Sequence, residues 1–277
     1  MLFDLAWKLT RKSLSQSSYN WLSYRLFGRK IRYEKSETYT AIFNHYCENG
    51  LEFRGKTVLE VGCGLQIFTA LHILRAGASR VLLAEPKVLE RKRASEQFRV
   101  FQSEFSEDLS EQEAFDRILA YRSLSEIHGP SSHIDLICSY TVLEHVSDLE
   151  DFFRQSGRLL KRGGLSYHLV DVSDHTYQFF GRFPILRKLH EKRALYHLRY
   201  SNATFVRLND PKCFMNRILL PRYIELAAIY EFEVEEVTLV PYDKPFKIHP
   251  DLLQSLPQKI EESHLGTNAF SLKLRKR

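Results

Sequence analysis

The most informative motif of the chain is Val58-Leu59-Glu60-Val61-Gly62-Cys63-Gly64. It begins as a short, apolar run with β-branched residues, which predicts a buried parallel strand. Gly62 and Gly64 follow, and glycines allow the backbone to turn tightly and to approach a ligand closely. A helical pattern then covers residues 66–76, so the turn leads into a helix start whose backbone N–H groups are available to a ligand. The motif therefore predicts a strand, a glycine turn and a helix in direct succession.

Strands and helices alternate along most of the chain. The sequence predicts strands at 57–61, 80–85, 117–121, 134–140, 165–170, 232–240 and 269–274. Helices are predicted among them at 36–47, 66–76, 86–101, 148–161 and 221–230, and residues 102–113 are predicted as a loop or loose helix. This alternation is typical of an α/β protein with a doubly wound, mostly parallel sheet and helices on both faces.

Glu85 ends the second predicted strand. Adjacent parallel strands end at the same edge of a sheet, so we expect its carboxylate beside the glycine turn. An acid in that position can bind two ribose hydroxyls. A dinucleotide fingerprint would need a third glycine where Ile67 stands, which disfavours a pyrophosphate ligand. The turn and the acid together predict a nucleoside site of another kind.

These residues resemble the first motif of the class I S-adenosylmethionine-dependent methyltransferases, which is an acid, any residue and then Gly-x-Gly-x-Gly. Glu60, Gly62 and Gly64 match that motif, whereas Gln66 stands where the family commonly has its last glycine. This departure bears on how closely the backbone approaches the methionine end of the cofactor.

The fourth predicted strand and its continuation resemble the same family. The strand leads into Leu143-Glu144-His145, and a Leu-Glu-His segment often follows this strand in the family. The later sequence Leu159-Leu160-Lys161-Arg162-Gly163-Gly164 is similar to its Leu-Lys-Pro-Gly-Gly turn, with arginine in place of proline. The resemblance covers residues 54–171 and implies a Rossmann-like sheet of seven strands.

The resemblance implies a methyltransferase (EC 2.1.1.-) that uses S-adenosyl-L-methionine. It implies that Glu60 contacts the amino-acid end of the cofactor and that Glu85 binds the ribose hydroxyls. Arg122 or Ser123 is the candidate contact for adenine. The full set of cofactor-binding residues implied by the resemblance is Glu60, Gly62, Cys63, Gly64, Glu85, Ser139 and Tyr140.

Transfer of a methyl group to oxygen needs a general base. His145 and His175 are the candidates, with Asp174 as a partner, since they follow predicted strands whose carboxyl ends should face the ligand. A packing role for His145 and a turn role for Asp174 are the alternatives. No metal site is predicted, because the four cysteines form no CxxC pair and have no histidine at zinc-ligand spacing. They are expected to be reduced thiols in a cytoplasmic protein.

Two segments rich in aromatic and basic residues flank this core. Residues 1–35 are predicted to be a helical cap, with a membrane-surface segment as the alternative, and residues 36–277 to be the methyltransferase domain. Residues 175–214 are predicted to be an insertion on the substrate side. Its aromatic rings and arginines suit an acceptor that contains a ring or a negative charge.

The composition leaves the acceptor open. The net charge of +6 fits an anionic partner, yet many enzymes with neutral substrates have the same charge. No apolar run is long enough for a membrane span, so any membrane contact is expected to be peripheral, through residues 1–35. Three hypotheses follow: methylation of an oxygen on a small molecule, glycan or lipid intermediate; methylation of RNA or protein, with nucleic acid not favoured; and a binding module without catalysis.

Overall fold

The computed structural model describes residues 36–87, 89–105, 109–128, 133–173, 195–208, 214–241 and 265–277. In these residues seven strands form one sheet in the order β3-β2-β1-β4-β5-β7-β6. The strands are β1 Thr57–Val61, β2 Arg80–Ala84, β3 Ile118–Tyr121, β4 Ile134–Tyr140, β5 Leu160–Asp171, β6 Phe232–Pro241 and β7 Thr267–Lys276. Strands β1 to β5 are parallel, and β7 is antiparallel to both β5 and β6. The predicted Rossmann-like, mostly parallel seven-stranded sheet is confirmed.

Helices cover both faces of this sheet. They are α1 Ser36–Glu48, α2 Phe68–Arg75, α3 Arg91–Phe105, α4 Glu111–Arg117, α5 Leu149–Leu159, α6 Asn202–Leu208 and α7 Leu220–Ile229. Helices α1 to α4 share one hydrophobic cluster with Val58 and Leu136, and helices α5 and α7 share another with Leu59 and Ile137. Successive strand residues point to opposite faces, so a strand that is buried on both sides is mostly apolar.

Helix α4 covers residues 111–117, whereas the sequence pattern predicted a loop or loose helix at 102–113 and a strand from 117. The helix begins with a capping box. The Glu113 N–H donates to the Ser110 hydroxyl at 3.2 Å, and the Ser110 N–H donates to the Glu113 carboxylate at 2.9 Å. These two bonds satisfy backbone donors that a helix start leaves without partners. The capping therefore stabilises a helix of only seven residues.

Several predicted segments lie outside the described residues. They are the N-terminal segment 1–35 and most of the insertion 175–214, so their proposed contacts with membrane and acceptor stay predictions. The described end of the insertion contains a 3₁₀ turn at Tyr196–Arg199 and helix α6. Among the residues that the structure describes, no helix has the length and apolar character needed to cross a membrane.

Candidate active site

The carboxyl ends of β1, β2 and β4 surround a cavity of about 620 Å³. Strand β1 lies between β2 and β4, so the strand order reverses there, and open α/β sheets bind ligands at such a switch point. Sites for small molecules have volumes of about 300–1,000 Å³, so this cavity is of suitable size. Among the residues singled out from the sequence, it is lined by Gly62, Glu85, Arg122, Ser123 and His145.

Gly62 gives the turn after β1 its shape. Its φ of +77° lies in the left-handed region, and its N–H donates to the Ala84 carbonyl oxygen at 2.8 Å. A Cβ atom at this position would lie 2.4 Å from Cγ2 of Val142. A side chain is therefore excluded both by the backbone conformation and by the close approach of the segment after β4. Gly64 also has a positive φ, +63°, but a Cβ there would meet no atom within 4 Å.

Glu85 and the glycine turn are in direct contact. One carboxylate oxygen of Glu85 accepts a hydrogen bond from the Gly64 N–H at 2.9 Å, and the other accepts from the Lys87 N–H at 3.3 Å. Glu85 also lines a second cavity of about 260 Å³, together with Cys63. The structure thus brings Gly62, Gly64, Cys63 and Glu85 together at one end of the sheet.

Glu60 lies beneath the turn with 5% of its surface exposed. Burial raises the pKa of its carboxyl to about 8, against a smaller opposing effect of the Thr69 hydroxyl. Its Oε2 atom has no hydrogen-bond partner among the described residues. Buried polar atoms are almost always paired, so an unpaired carboxylate oxygen at this position suits a positively charged ligand group. The chemistry of Glu60 therefore fits the ammonium group of an amino acid.

Ser139 and Tyr140 end strand β4 but do not line the 620 Å³ cavity. The Ser139 hydroxyl is fully buried and forms a hydrogen bond of 2.7 Å with Nδ1 of His168. The Tyr140 ring lies on the other face of the sheet, perpendicular to the His45 ring of α1 at a centroid distance of 5.3 Å. Both side chains are therefore engaged in internal contacts, which leaves their backbone as the part that can face a ligand.

The residues that directly follow β4 were missed by the sequence analysis. Thr141 and Val142 line the cavity, and Thr141 has a positive φ of +51°. Phe214 also lines it, although it lies far along the chain. Their position just beyond a parallel strand could have identified Thr141 and Val142, whereas Phe214 carries no local signal.

His145 is the one candidate base that lies in the described part of the chain. It lines the cavity, and its Nδ1 is 2.5 Å from the carbonyl oxygen of Phe214. A carbonyl only accepts, so Nδ1 carries the proton, and in the neutral ring Nε2 is the basic nitrogen. His175 and Asp174 lie outside the described residues. The nearby Asp171 accepts from the Ser173 N–H at 2.9 Å, as a turn residue does.

The sheet order, the glycine turn and the acid at the end of β2 define a class I S-adenosylmethionine-dependent methyltransferase. The chain belongs to the methyltransferase-domain family, whose sequence model matches residues 27–210. S-adenosyl-L-methionine is accordingly its methyl donor. Among curated protein sequences, none matches this chain.

Solved structures share the fold at low sequence identity. The geranyl diphosphate C-methyltransferase of Streptomyces coelicolor A3(2) has a TM-score of 0.51 and 13% identity, over 86% of this chain and 79% of that chain. The cyclase SpnF has a TM-score of 0.52 and 15% identity, over 85% of this chain and 80% of that chain. One is named for methyl transfer and the other for cyclisation, so the shared fold does not fix the substrate.

Proposed function

We propose that this enzyme transfers the methyl group of S-adenosylmethionine to an oxygen atom of a small molecule, which includes glycan and lipid intermediates. The observation that carries the proposal is the position of His145 on the wall of the 620 Å³ cavity. The hydrogen bond between Nδ1 and the Phe214 carbonyl fixes the ring and makes Nε2 the basic nitrogen. A hydroxyl acceptor in this cavity needs such a base, because oxygen nucleophiles lose a proton during the reaction.

The family resemblance supplies the cofactor-binding roles, and the positions of these residues support them. Glu60 takes the ammonium of the amino-acid end, and the turn around Gly62 and Gly64 lies against the ligand. Glu85 binds the ribose hydroxyls, and the position of its carboxylate at the end of β2, beside the turn, supports this role. Cys63 and, on the adenine side, Arg122 or Ser123 are further members of this set and line the two cavities. The backbone of Ser139 and Tyr140 is included on the family resemblance alone.

The cofactor supplies an electrophilic methyl group, and the protein supplies alignment and a proton acceptor. Alignment of two reactants can contribute up to about 7–11 kcal/mol to the lowering of the barrier. His145 accepts the proton of the acceptor hydroxyl, and its fixed ring limits the rearrangement that this step requires. His175 with Asp174 is the second candidate pair for this role, placed directly after β5 in the sequence.

A small acceptor is supported by the volume of the cavity and by the ligand of a protein with the same fold. The methyltransferase of Streptomyces coelicolor was solved with geranyl diphosphate, a small molecule with a negative charge. The net charge of +6 on this chain is compatible with such an acceptor. RNA or protein as acceptor, and a binding role without catalysis, are the competing hypotheses.

The cofactor site is tested by calorimetric titration with S-adenosylhomocysteine, the product of the donor. We expect the wild type to bind and Glu85→Ala to weaken binding at least tenfold, or about 1.4 kcal/mol, because the carboxylate that holds the ribose is lost. Glu96→Ala is the matched control, since Glu96 is an exposed residue of α3 and its loss should leave the affinity unchanged. A folded wild type that does not bind would contradict the proposal.

The acceptor is tested by methyl transfer from labelled S-adenosylmethionine to panels of hydroxylated small molecules, RNA and protein. Methylation of a small molecule at oxygen, assigned from the product, supports the proposal. Methylation of RNA or protein alone would overturn it. Binding of S-adenosylhomocysteine without transfer to any panel would favour the binding module.

A further inference from the structure

Two buried glutamines next to the glycine turn differ in how their side chains are satisfied. The Gln97 amide is fully used: its Oε1 accepts from the Ile67 N–H at 2.8 Å, and its Nε2 donates to the Leu65 carbonyl oxygen at 3.2 Å. Gln66 lies between those two residues with 1% of its surface exposed. Both its Oε1 and its Nε2 lack a hydrogen-bond partner in the part of the chain that the structure describes.

A buried amide without partners is costly. Each unsatisfied donor or acceptor costs about 1–3 kcal/mol, and most buried polar side-chain atoms in proteins are paired. A leucine at position 66 would fill a similar volume without this cost. The amide of Gln66 therefore suits a ligand that pairs with it when the site is filled.

The backbone holds Gln66 in a fixed position. Its own N–H donates to the Cys63 carbonyl oxygen at 3.1 Å, and Gln97 holds the residues on both sides of it. Leu65, which precedes it, has a φ of +66°, in the left-handed region. A side chain that starts from such a constrained backbone loses little freedom when it binds, and this preorganisation favours affinity.

Two residues, Thr69 and Cys63, are near Gln66 in the chain and also interact with Glu60. Thr69, in the first turn of α2, lies three residues further along the chain, and its hydroxyl acts on the pKa of Glu60. Cys63 lies on the other side: its thiol contacts the Gln66 backbone, and the charge of Glu60 acts on its pKa. Two buried side chains with unpaired polar atoms, one acidic and one an amide, thus flank the glycine turn, Glu60 before it and Gln66 after it in the chain.

We propose that the Gln66 amide binds the carboxylate of the amino-acid end of the cofactor, while Glu60 takes the ammonium beside it. An amino acid carries one group of each sign, and an amide N–H next to a carboxylate offers a complementary partner to each. Gln66 replaces the last glycine of the family motif, so a side-chain hydrogen bond takes the place of a close backbone approach. This inference rests on the proposed cofactor site.

The test compares two ligands that differ in the amino-acid end, whose carboxylate Gln66 is proposed to bind. S-adenosylhomocysteine has the amino-acid end, and 5′-methylthioadenosine keeps the adenosine and the thioether but lacks that end. For Gln66→Leu, calorimetry should show affinity for S-adenosylhomocysteine at least tenfold weaker than in the wild type, because a charge-assisted hydrogen bond is lost. Affinity for 5′-methylthioadenosine should change by less than about twofold.

Two further variants keep the inference falsifiable. Gln66→Glu has nearly the same shape, and its negative charge should repel the ligand carboxylate and weaken S-adenosylhomocysteine binding more than Gln66→Leu does. Gln97→Leu removes the two bonds that brace the turn, so it should lower the melting temperature and weaken both ligands by a similar factor. It is the matched control for a purely structural role.

Three outcomes would overturn the inference. Equal weakening of both ligands by Gln66→Leu would make the residue a structural part of the turn, as Gln97 is. Unchanged binding of both ligands would mean that water satisfies the amide. If the folded wild type binds 5′-methylthioadenosine but not S-adenosylhomocysteine, the protein has no site for the amino-acid end. If it binds neither ligand, the proposed cofactor site is overturned as well.

Discussion

The glycine turn leaves little space for a side chain at position 62. Gly62 and Gly163 have the same φ of +77°, yet their surroundings differ. A Cβ at Gly62 would lie 2.4 Å from the Val142 side chain, whereas a Cβ at Gly163 would meet nothing within 4 Å. This pair separates the cost of the backbone conformation from the cost of a steric clash.

We expect Gly62→Ala to lower the free energy of unfolding by more than Gly163→Ala does. Alanine in the left-handed region costs about 1–2 kcal/mol at either position. At Gly62, overpacking against Val142 adds about 1–3 kcal/mol. Urea denaturation of the two ligand-free variants measures the difference.

Val142→Ala in the Gly62→Ala background should recover part of the lost stability, because it removes the atoms that the new methyl group meets. The same replacement in the Gly163→Ala background should recover none. Equal losses for the two glycine variants would show that the segment after β4 moves away without cost.

At the scale of elements, a short segment after the predicted insertion is tied to the turn after β4. Asn216 donates through Nδ2 to the carbonyl oxygens of Leu143 at 2.7 Å and Val146 at 3.0 Å. Its backbone N–H donates to the Glu144 carbonyl oxygen at 2.7 Å. Together with the bond between His145 and Phe214, these contacts hold Phe214 on the wall of the cavity.

Asn216→Ala should lower the free energy of unfolding by about 2 kcal/mol, because the Leu143 and Val146 carbonyl oxygens each lose a hydrogen bond from the Asn216 side chain. It should also weaken S-adenosylhomocysteine binding, since Phe214 and His145 then lose a common support. Calorimetry and urea denaturation of the same preparation measure both effects.

Asn49→Ala provides the comparison for this element. The Asn49 amide donates to the His45 carbonyl oxygen at 2.7 Å at the end of α1, away from the residues that line the cavity. Its loss should cost some stability and leave the affinity for S-adenosylhomocysteine unchanged. If Asn216→Ala behaved in the same way, the segment would have no role in the site.

The elements also show which features a sequence can predict. Strand β1, the glycine turn and Glu85 were predictable, because a buried strand and its turn leave a local pattern in the chain. Helix α4 was left undecided between a loop and a loose helix, although the Ser110 and Glu113 spacing of its capping box was present in the sequence. The hydrogen bonds of the Gln97 and Asn216 side chains had no such signal in the sequence, since they join residues that are about 30 and 70 positions apart.

In the part of the chain that the structure describes, burial shifts the pKa values of carboxyl and imidazole groups in opposite directions. Burial raises the pKa of Glu60 to about 8 and lowers the pKa of His168 to about 3 and of His72 to about 4. The histidines stay neutral inside the core, where His168 forms hydrogen bonds with Ser139 and Ser166 at 2.7 Å each. The histidines therefore stabilise the fold above their ordinary pKa of 6.5, and this contribution is lost as the pH falls towards 4 and 3.

Glu60 contributes a pH dependence of stability with the opposite sign. Its folded pKa of about 8 lies above its ordinary value of 4.5, so it stabilises the ligand-free fold at low pH and this contribution is lost as the pH rises through 8. Above pH 6.5 the contribution of the two histidines is nearly complete, whereas Glu60 changes stability by up to about 1.4 kcal/mol per pH unit. Burial also raises the pKa of the Glu144 carboxyl, which acts with the same sign as Glu60. We expect the ligand-free protein to lose stability between pH 6.5 and 8.

A ligand whose ammonium pairs with Glu60 favours the ionised carboxylate and should therefore offset this loss. The increase in melting temperature caused by saturating S-adenosylhomocysteine should be larger at pH 8 than at pH 6.5. Glu60→Gln cannot titrate, so its ligand-free stability should not fall with pH through this group, and its smaller ligand-induced shift should be the same at both pH values. Glu96→Gln, on the exposed side of α3, should behave as the wild type. If the ligand-induced increase in the melting temperature of the wild type does not grow with pH, Glu60 does not bind the ammonium. The burial of its carboxyl would then have no role in cofactor binding.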